Sequence, residues 1–264
     1  MFELEFMQNA YLASTAVAFL CGIIGVFVVA RRLSFLSHTL SEIGFSGAAF
    51  GLWLGWPPLT SMLLFTFTSS LLVNRIGLDE EKRDAATSSI SALFMGMGVL
   101  FLSLSNKNAS YATGILFGTI VGISWTNVVQ ILIISLIVLI LTLAIYRPLK
   151  FDSFDPVGAR ISKNKNGLIN VLFIIMMALS VSIASQIVGA LLIFILLTLP
   201  AYTAQFYARS VFGAVVISIS LALIGSWAGL YLAYETNWPV TFSLRRSKQF
   251  YLASLAVNSL EKRT

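Results

Sequence analysis

The sequence predicts an all-α membrane protein, a polytopic helix bundle with about eight or nine transmembrane spans. Of its 264 residues 58% are hydrophobic and only 11% are charged, and the mean hydropathy of +0.89 lies well above that of soluble domains. Apolar runs of about 20 residues, the length that crosses a hydrocarbon core as a helix, recur along almost the whole chain. The loop charges then divide by side, as a membrane protein requires. Residues 1–264 therefore read as a single polytopic membrane domain, with no room between the runs for a large aqueous one.

The first span covers 10–30, in "YLASTAVAFLCGIIGVFVVARR". It follows Glu3 and Glu5 and precedes its arginines, the reverse of a signal peptide with a positive leading region. It contains the single cysteine, Cys21, so neither an intrachain disulfide nor a thiolate metal cage is available. The second span, 36–56, ends in "GWPPLT", a tight outside turn, because consecutive prolines cannot continue a helix. Spans at 58–76 and 86–104 follow.

Residues 105–126 are apolar only in a short central stretch and rich in Gly, Ser and Asn. They read either as a short helix or re-entrant element on the outer side or as an outside loop with an apolar patch. Non-helical backbone at membrane depth must be buried in protein or line a cavity, which would put the first alternative near a pathway.

Further spans are expected at 127–146, 168–184, 187–203 and 211–233. A last one, 239–259, breaks the pattern. Arg245, Arg246 and Lys248 sit near its middle, each costing about 2.5–3.5 kcal/mol if central, against about 0.3–0.6 kcal/mol returned per apolar residue. Either this helix inserts against the bundle with its cations snorkelling or paired, or it lies at an interface as a basic amphipathic segment.

With the N-terminus outside, the cytoplasmic stretches hold Arg31, Arg32, Arg75, Lys82, Arg83, Arg147, Lys150, Arg160, Lys163, Lys165, Arg209, Lys262 and Arg263, while the outside loops hold only Lys107. That split predicts a multi-pass protein of the cell membrane with a cytoplasmic C-terminus. It also makes the net charge of +6 a consequence of topology, with no nucleic-acid partner implied.

Several chemistries are excluded. There is no "GxxxxGK[ST]" phosphate loop, so ATP-driven work by that route needs another subunit. One histidine rules out an "HExxH" zinc-protease site and a three-histidine cage, and no "GxSxG" elbow accompanies it. The chain is therefore expected to be no enzyme.

That histidine, His38, lies in "SHTLSEIGFSGAAFG" four residues before Glu42. At helical spacing the two share one face, with Ser34, Ser37, Ser41 and Ser46 on or beside it and Leu36, Leu40 and Ile43 opposite. Intramembrane ionisable groups seldom face lipid, so the polar stripe should face a water-filled path or another polar helix. An imidazole nitrogen and a carboxylate oxygen at this spacing can converge on a divalent cation of the manganese, iron or zinc type. Two ligands make a weak site, suited to release. The alternative is a structural pair, a His–Glu hydrogen bond or an interhelix salt bridge. Gly44, Gly47, Ala48 and Gly51 permit close helix approach. Met95 and Met97 read as core filling ahead of soft ligands. Pro200 interrupts a long apolar run, and "AYTAQFYARS" then carries Arg209 towards the cytoplasmic face. This is either a short helix suited to docking on a soluble partner or a Pro-kinked connection.

These stretches resemble the permease subunits of ATP-binding-cassette importers for manganese, zinc and iron. "RRLSFLSHTLSEIGFSGAAFG" is similar to the family's "RRxxxxGDALSHxxLPGxAxG", "ILFGTIVGIS" to its "LFGxxLxxS", and "VGALLIFILLTLPAYTAQFYARS" to its "VGxLLVxxLLxxPAATAxxxARS". The resemblance implies a type II importer fold and a transport subunit with no permanently bound cofactor, the divalent metal (Mn, Zn or Fe) being its cargo. It implies a permease homodimer above two cytoplasmic ATPase subunits, fed by an extracytoplasmic metal-binding protein. The segment from Pro200 would hold the coupling helix, with Tyr202, Gln205, Phe206 and Arg209 against the ATPase. At the metal motif the order is reversed: His38 stands at the family's Asp position, Glu42 at its His position, and Ser46 replaces its proline. A permease for a metal chelate or other small solute, and a channel or secondary transporter needing no ATPase, are the competing expectations.

Overall fold

The computed structural model of the chain describes residues 5–76, 80–105, 114, 118, 123–155 and 166–236. Among them run nine helices: α1 (Glu5–Ala30), α2 (Ser34–Leu54), α3 (Pro58–Ile76), α4 (Glu80–Leu104), α5 (Trp125–Ala144), α6 (Tyr146–Phe154), α7 (Asn166–Val188), α8 (Ala190–Tyr207) and α9 (Val211–Thr236). Eight of these match the first eight expected spans to within a few residues. The span expected at 239–259, nearly all of 105–126, and the cations Lys107, Arg160, Lys163, Lys165, Arg245, Arg246, Lys248, Lys262 and Arg263 lie outside the described residues.

Consecutive helices α1 and α2 share little contact, and each is the centre of its own group. Helix α1 packs on α9, α8, α5 and α7, whereas α2 packs on α4, α3, α8 and α7, so α7 and α8 form the wall common to both. Small residues make these central positions habitable: Ala10, Ala13, Ala18 and Cys21 on α1 are fully buried, and Gly47 on α2 would set a Cβ 2.7 Å from the Ser61 carbonyl of α3. At the periphery the order inverts. Leu132, Ile133, Leu136, Ile137 and Ile140 of α5 point outward and exposed, as lipid requires. Interior hydroxyls are satisfied mostly within their own helices, as in Ser180 Oγ to the Met176 carbonyl (2.7 Å) and Thr142 Oγ1 to the Val138 carbonyl (2.7 Å).

Three details differ from the sequence expectation. Helix α5 stops at Ala144, and what read as a cytoplasmic loop begins with the nine-residue α6. Pro200 does not end a helix: α8 runs through it to Tyr207, so the expected short docking helix is the last turns of α8. A proline costs one hydrogen bond there, but the flanking packing of Ala201 and Ala204 on α1 and α9 holds the helix together. The α7–α8 break lies at Gly189, whose φ of 89° needs a residue without a Cβ.

The end of α1 is tied to α6. The amides of Leu33 and Arg32 close back on the Val28 and Val29 carbonyls, with Arg32 in the left-handed region at φ 56°. This turn directs Arg31 inward, where its side chain is only 7% exposed. Its Nη2 pairs with Asp152 Oδ2 at 2.5 Å, Nε donates to Ser153 Oγ at 2.8 Å, Nη1 donates to Asn170 Oδ1 at 3.3 Å, and the guanidinium lies 4.7 Å from the Phe173 ring centre. Burial lowers the Arg31 pKa from its ordinary value, and Asp152 pulls it back up. Arg31 thus does more than add to the loop charges: it clamps α1, α6 and α7 together.

Candidate functional site

Helix α2 is enclosed on nearly every side. From Leu36 to Ala49 every residue is buried except His38 and Glu42, whose side chains are 36% and 30% exposed. The two ionisable groups are the window in this otherwise buried stretch.

His38 Nδ1 and Glu42 Oε1 lie 3.6 Å apart. That is longer than a hydrogen bond but within ion-pair reach of a protonated imidazole. Two donors each about 2.1 Å from one ion are separated by about 3.0 Å in octahedral and about 3.4 Å in tetrahedral geometry, a few tenths of an ångström below the observed gap. The pair therefore stands at chelating distance. The second carboxylate oxygen, Oε2, accepts a hydrogen bond of 2.5 Å from Ser91 Oγ of α4. The edge-on ring of Phe194, on α8, packs against the imidazole with centres 5.2 Å apart. Among the described residues no group of three or more His, Cys, Asp or Glu could hold a metal, so the site supplies two protein donors.

Three of the four serines of the expected stripe are spent on backbone. Ser37 Oγ donates to the Ser34 carbonyl (2.7 Å), Ser46 Oγ to the Glu42 carbonyl (3.3 Å), and Ser41 Oγ crosses to the Ala190 carbonyl (2.5 Å). These serines leave the pair as the polar opening instead of extending it. The Gly-rich stretch packs, as its composition foretold, and α4 adds a partner: a Cβ on Gly98 would sit 2.7 Å from Ser46 Oγ. Met95 fills space against Phe45 and Ala190, consistent with core filling.

Helix α8 runs along α2 from this window to the basic end of the bundle. Ala190 meets Ser41, Phe194 meets His38, and the Tyr202 hydroxyl lies 3.4 Å from Ser34 Oγ. Beyond Pro200 its last turns are two-faced. Ala201 and Ala204 are fully buried against Val26, Val29 and Ala214, whereas Tyr202, Gln205, Phe206 and Arg209 are exposed, Phe206 by 77%. Of the four expected docking residues, Tyr202, Gln205 and Phe206 are thus exposed on the last turns of α8 and Arg209 just past its end, with Pro200 itself buried in the helix.

Sequence reading missed Ser91 and Phe194. Ser91 lies 49 residues from Glu42 and Phe194 lies 156 from His38 (194 − 38), and nothing in their own segments marks them; only the packing of α4 and α8 on α2 does.

Residues 3–257 match the ABC 3 transport family. The chain is 30% identical over 267 residues to an uncharacterized membrane protein from the ycf23-apcF intergenic region of Cyanophora paradoxa, covering all of this chain and 89% of that one. It is 28% identical over 257 residues to the manganese import system permease protein ScaB of Streptococcus parasanguinis, covering 97% and 91%. Its fold is similar to PsaBC from Streptococcus pneumoniae, solved in complex with Fab, with a TM-score of 0.85 at 25% identity over 95% of this chain and 91% of that one. A family match over almost the full length, on a bundle of membrane-length helices, supports one conclusion: the chain belongs to the ABC 3 transport family and is a multi-pass permease subunit of an ATP-binding-cassette transporter, not itself catalytic.

Proposed function

We propose that this permease imports a divalent transition metal, with manganese ahead of zinc and iron, and that His38 and Glu42 are its ligands on the path. The observation that carries the reading is their convergence at 3.6 Å as the two breaks in the otherwise buried stretch Leu36–Ala49 of α2. A neutral imidazole and a carboxylate suit these metals, and the carboxylate offsets one of the two charges that must leave water. The manganese permeases among its relatives put that ion first.

In this reading two permease chains pair and stand on cytoplasmic ATPase subunits, and an extracytoplasmic metal-binding protein delivers the cargo at the other end. The N-terminus is outside and the C-terminus cytoplasmic, in line with the loop charges. Tyr202, Gln205, Phe206 and Arg209 seat the end of α8 on the ATPase. Movement of that end passes along α8 to Phe194, which bears on His38. A two-donor site holds the ion weakly enough to let it go when the ring shifts.

The test is uptake by the permease reconstituted with its ATPase in vesicles, using manganese, zinc, iron and chelated iron. His38→Ala and Glu42→Ala should each raise the KM for manganese by at least about 10–100-fold while copurifying with the ATPase as before, since even losing a ligand's supporting partner costs that much. Full uptake by both variants sinks the chelation reading, and transport of the chelate alone replaces the cargo.

A further inference from the structure

We infer that Ser91, on α4, is a positioning residue that pins Glu42 in a single-oxygen binding mode and so sets the cation preference of the site. The inference rests on the metal-import reading above and adds a residue to it.

Ser91 is 6% exposed, and its Oγ lies 2.5 Å from Glu42 Oε2, the short range of a hydroxyl donating to a charged carboxylate. Its neighbours behave differently. On the same helix Ser88, Ser89 and Ser103 donate to carbonyls three or four residues back, at 2.9, 2.9 and 2.7 Å. Ser91 instead reaches across to α2, where Gly98 and Ser46 and the packing of Met95 on Phe45 hold the two helices close. The donor is therefore fixed with respect to the carboxylate.

The consequence is geometric. With Oε2 engaged, Oε1 is the oxygen left facing His38 Nδ1, and Glu42 offers one donor to a cation rather than two. Calcium takes six to eight oxygens and binds carboxylates through one oxygen or two, so a carboxylate free to use both supplies more of that shell, whereas one oxygen beside an imidazole favours a transition metal. Removing the hydroxyl frees Oε2, loosens the aim of Oε1 and opens the bidentate mode.

The experiment uses the assembled transporter in vesicles, reading manganese uptake with and without competing calcium. Ser91→Ala should raise the KM for manganese about 10-fold, the scale of losing a ligand's supporting bond, with Vmax nearly unchanged, and should make calcium a stronger competitor. Ser91→Thr, which keeps the hydroxyl, should restore both. Ser91→Val matches threonine in shape without the hydroxyl, so a packing defect would appear in both variants and a positioning defect in valine alone. Unchanged KM and calcium competition in Ser91→Ala, or equal defects in threonine and valine, overturn the inference. Glu42→Ala in the same assay separates the two claims. If Glu42→Ala fails and Ser91→Ala is normal, only the role of Ser91 falls; if Glu42→Ala transports normally, the import site itself falls.

Discussion

Asp152→Ala removes the acid from the Arg31 clamp, and its cost follows from the surroundings of the arginine. Breaking a buried pair by deleting one partner costs about 3–5 kcal/mol, because the remaining charge is left without its counterion. Asp152 is itself 19% exposed, and Arg31 keeps Ser153, Asn170 and the Phe173 ring, which places the expected loss at the lower end, about 3 kcal/mol. For a chain of this size that lowers the melting midpoint by about 6–12 °C. The assay is thermal unfolding of the purified chain in detergent micelles. Arg31→Met with Asp152→Leu should recover most of the loss, since replacing both charges by apolar groups is often neutral. A midpoint within about 2 °C of wild type for Asp152→Ala, or a double variant no better than the single, would refute the claim that Arg31 is a desolvated charge held by Asp152.

Further outcomes follow from packing and from the free face of α8. Gly98→Ala should destabilise the α2–α4 seam by about 1–3 kcal/mol, because its new Cβ would meet Ser46 at 2.7 Å. Gly96→Ala, two residues away with nothing within 4 Å, should instead stabilise α4 by up to about 1 kcal/mol, and both are read by the same melts. Phe206→Ala combined with Arg209→Glu should abolish copurification with the ATPase while leaving the melting midpoint unchanged; normal ATP-driven uptake would refute the docking role. Thr15→Val removes the acceptor of the 3.0 Å bond from Trp227 Nε1 and should cost about 1 kcal/mol at the α1–α9 contact.

The bundle was legible because its signal is local. A membrane helix must satisfy its backbone within itself, so length and hydropathy alone fixed eight helices, and the turn at Pro57 and Pro58 ended α2 where expected. The His38–Glu42 pair was legible for the same reason, since two positions four apart share a helix face whatever surrounds them. What escaped depends on contact between distant segments. Ser91 and Phe194 become part of the site only through the packing of α4 and α8. Arg31 counted equally with Arg32 in the loop charges, yet one is a buried clamp and the other exposed. Asp152, an acid in the otherwise basic "YRPLKFD", was a usable sign that one of these arginines is paired. The expected span 187–203 already passed through Pro200, but the residues beyond it read as a separate short helix or a kinked connection, while the packing of the small Ala201 and Ala204 carries α8 unbroken to Tyr207. The serines beside the pair misled in the opposite direction: their hydroxyls looked like a polar stripe and are consumed by carbonyls.

Metal import through this window requires that the imidazole of His38 touch the transported ion. It is the only histidine in the chain, so nitrogen coupling to bound manganese reports on it directly. Pulsed electron paramagnetic resonance of the manganese-loaded transporter should show modulation from a coordinated ¹⁴N, and His38→Ala should erase it while leaving the complex assembled. Bound manganese with no nitrogen coupling in the wild type, or the same coupling in His38→Ala, would contradict the account.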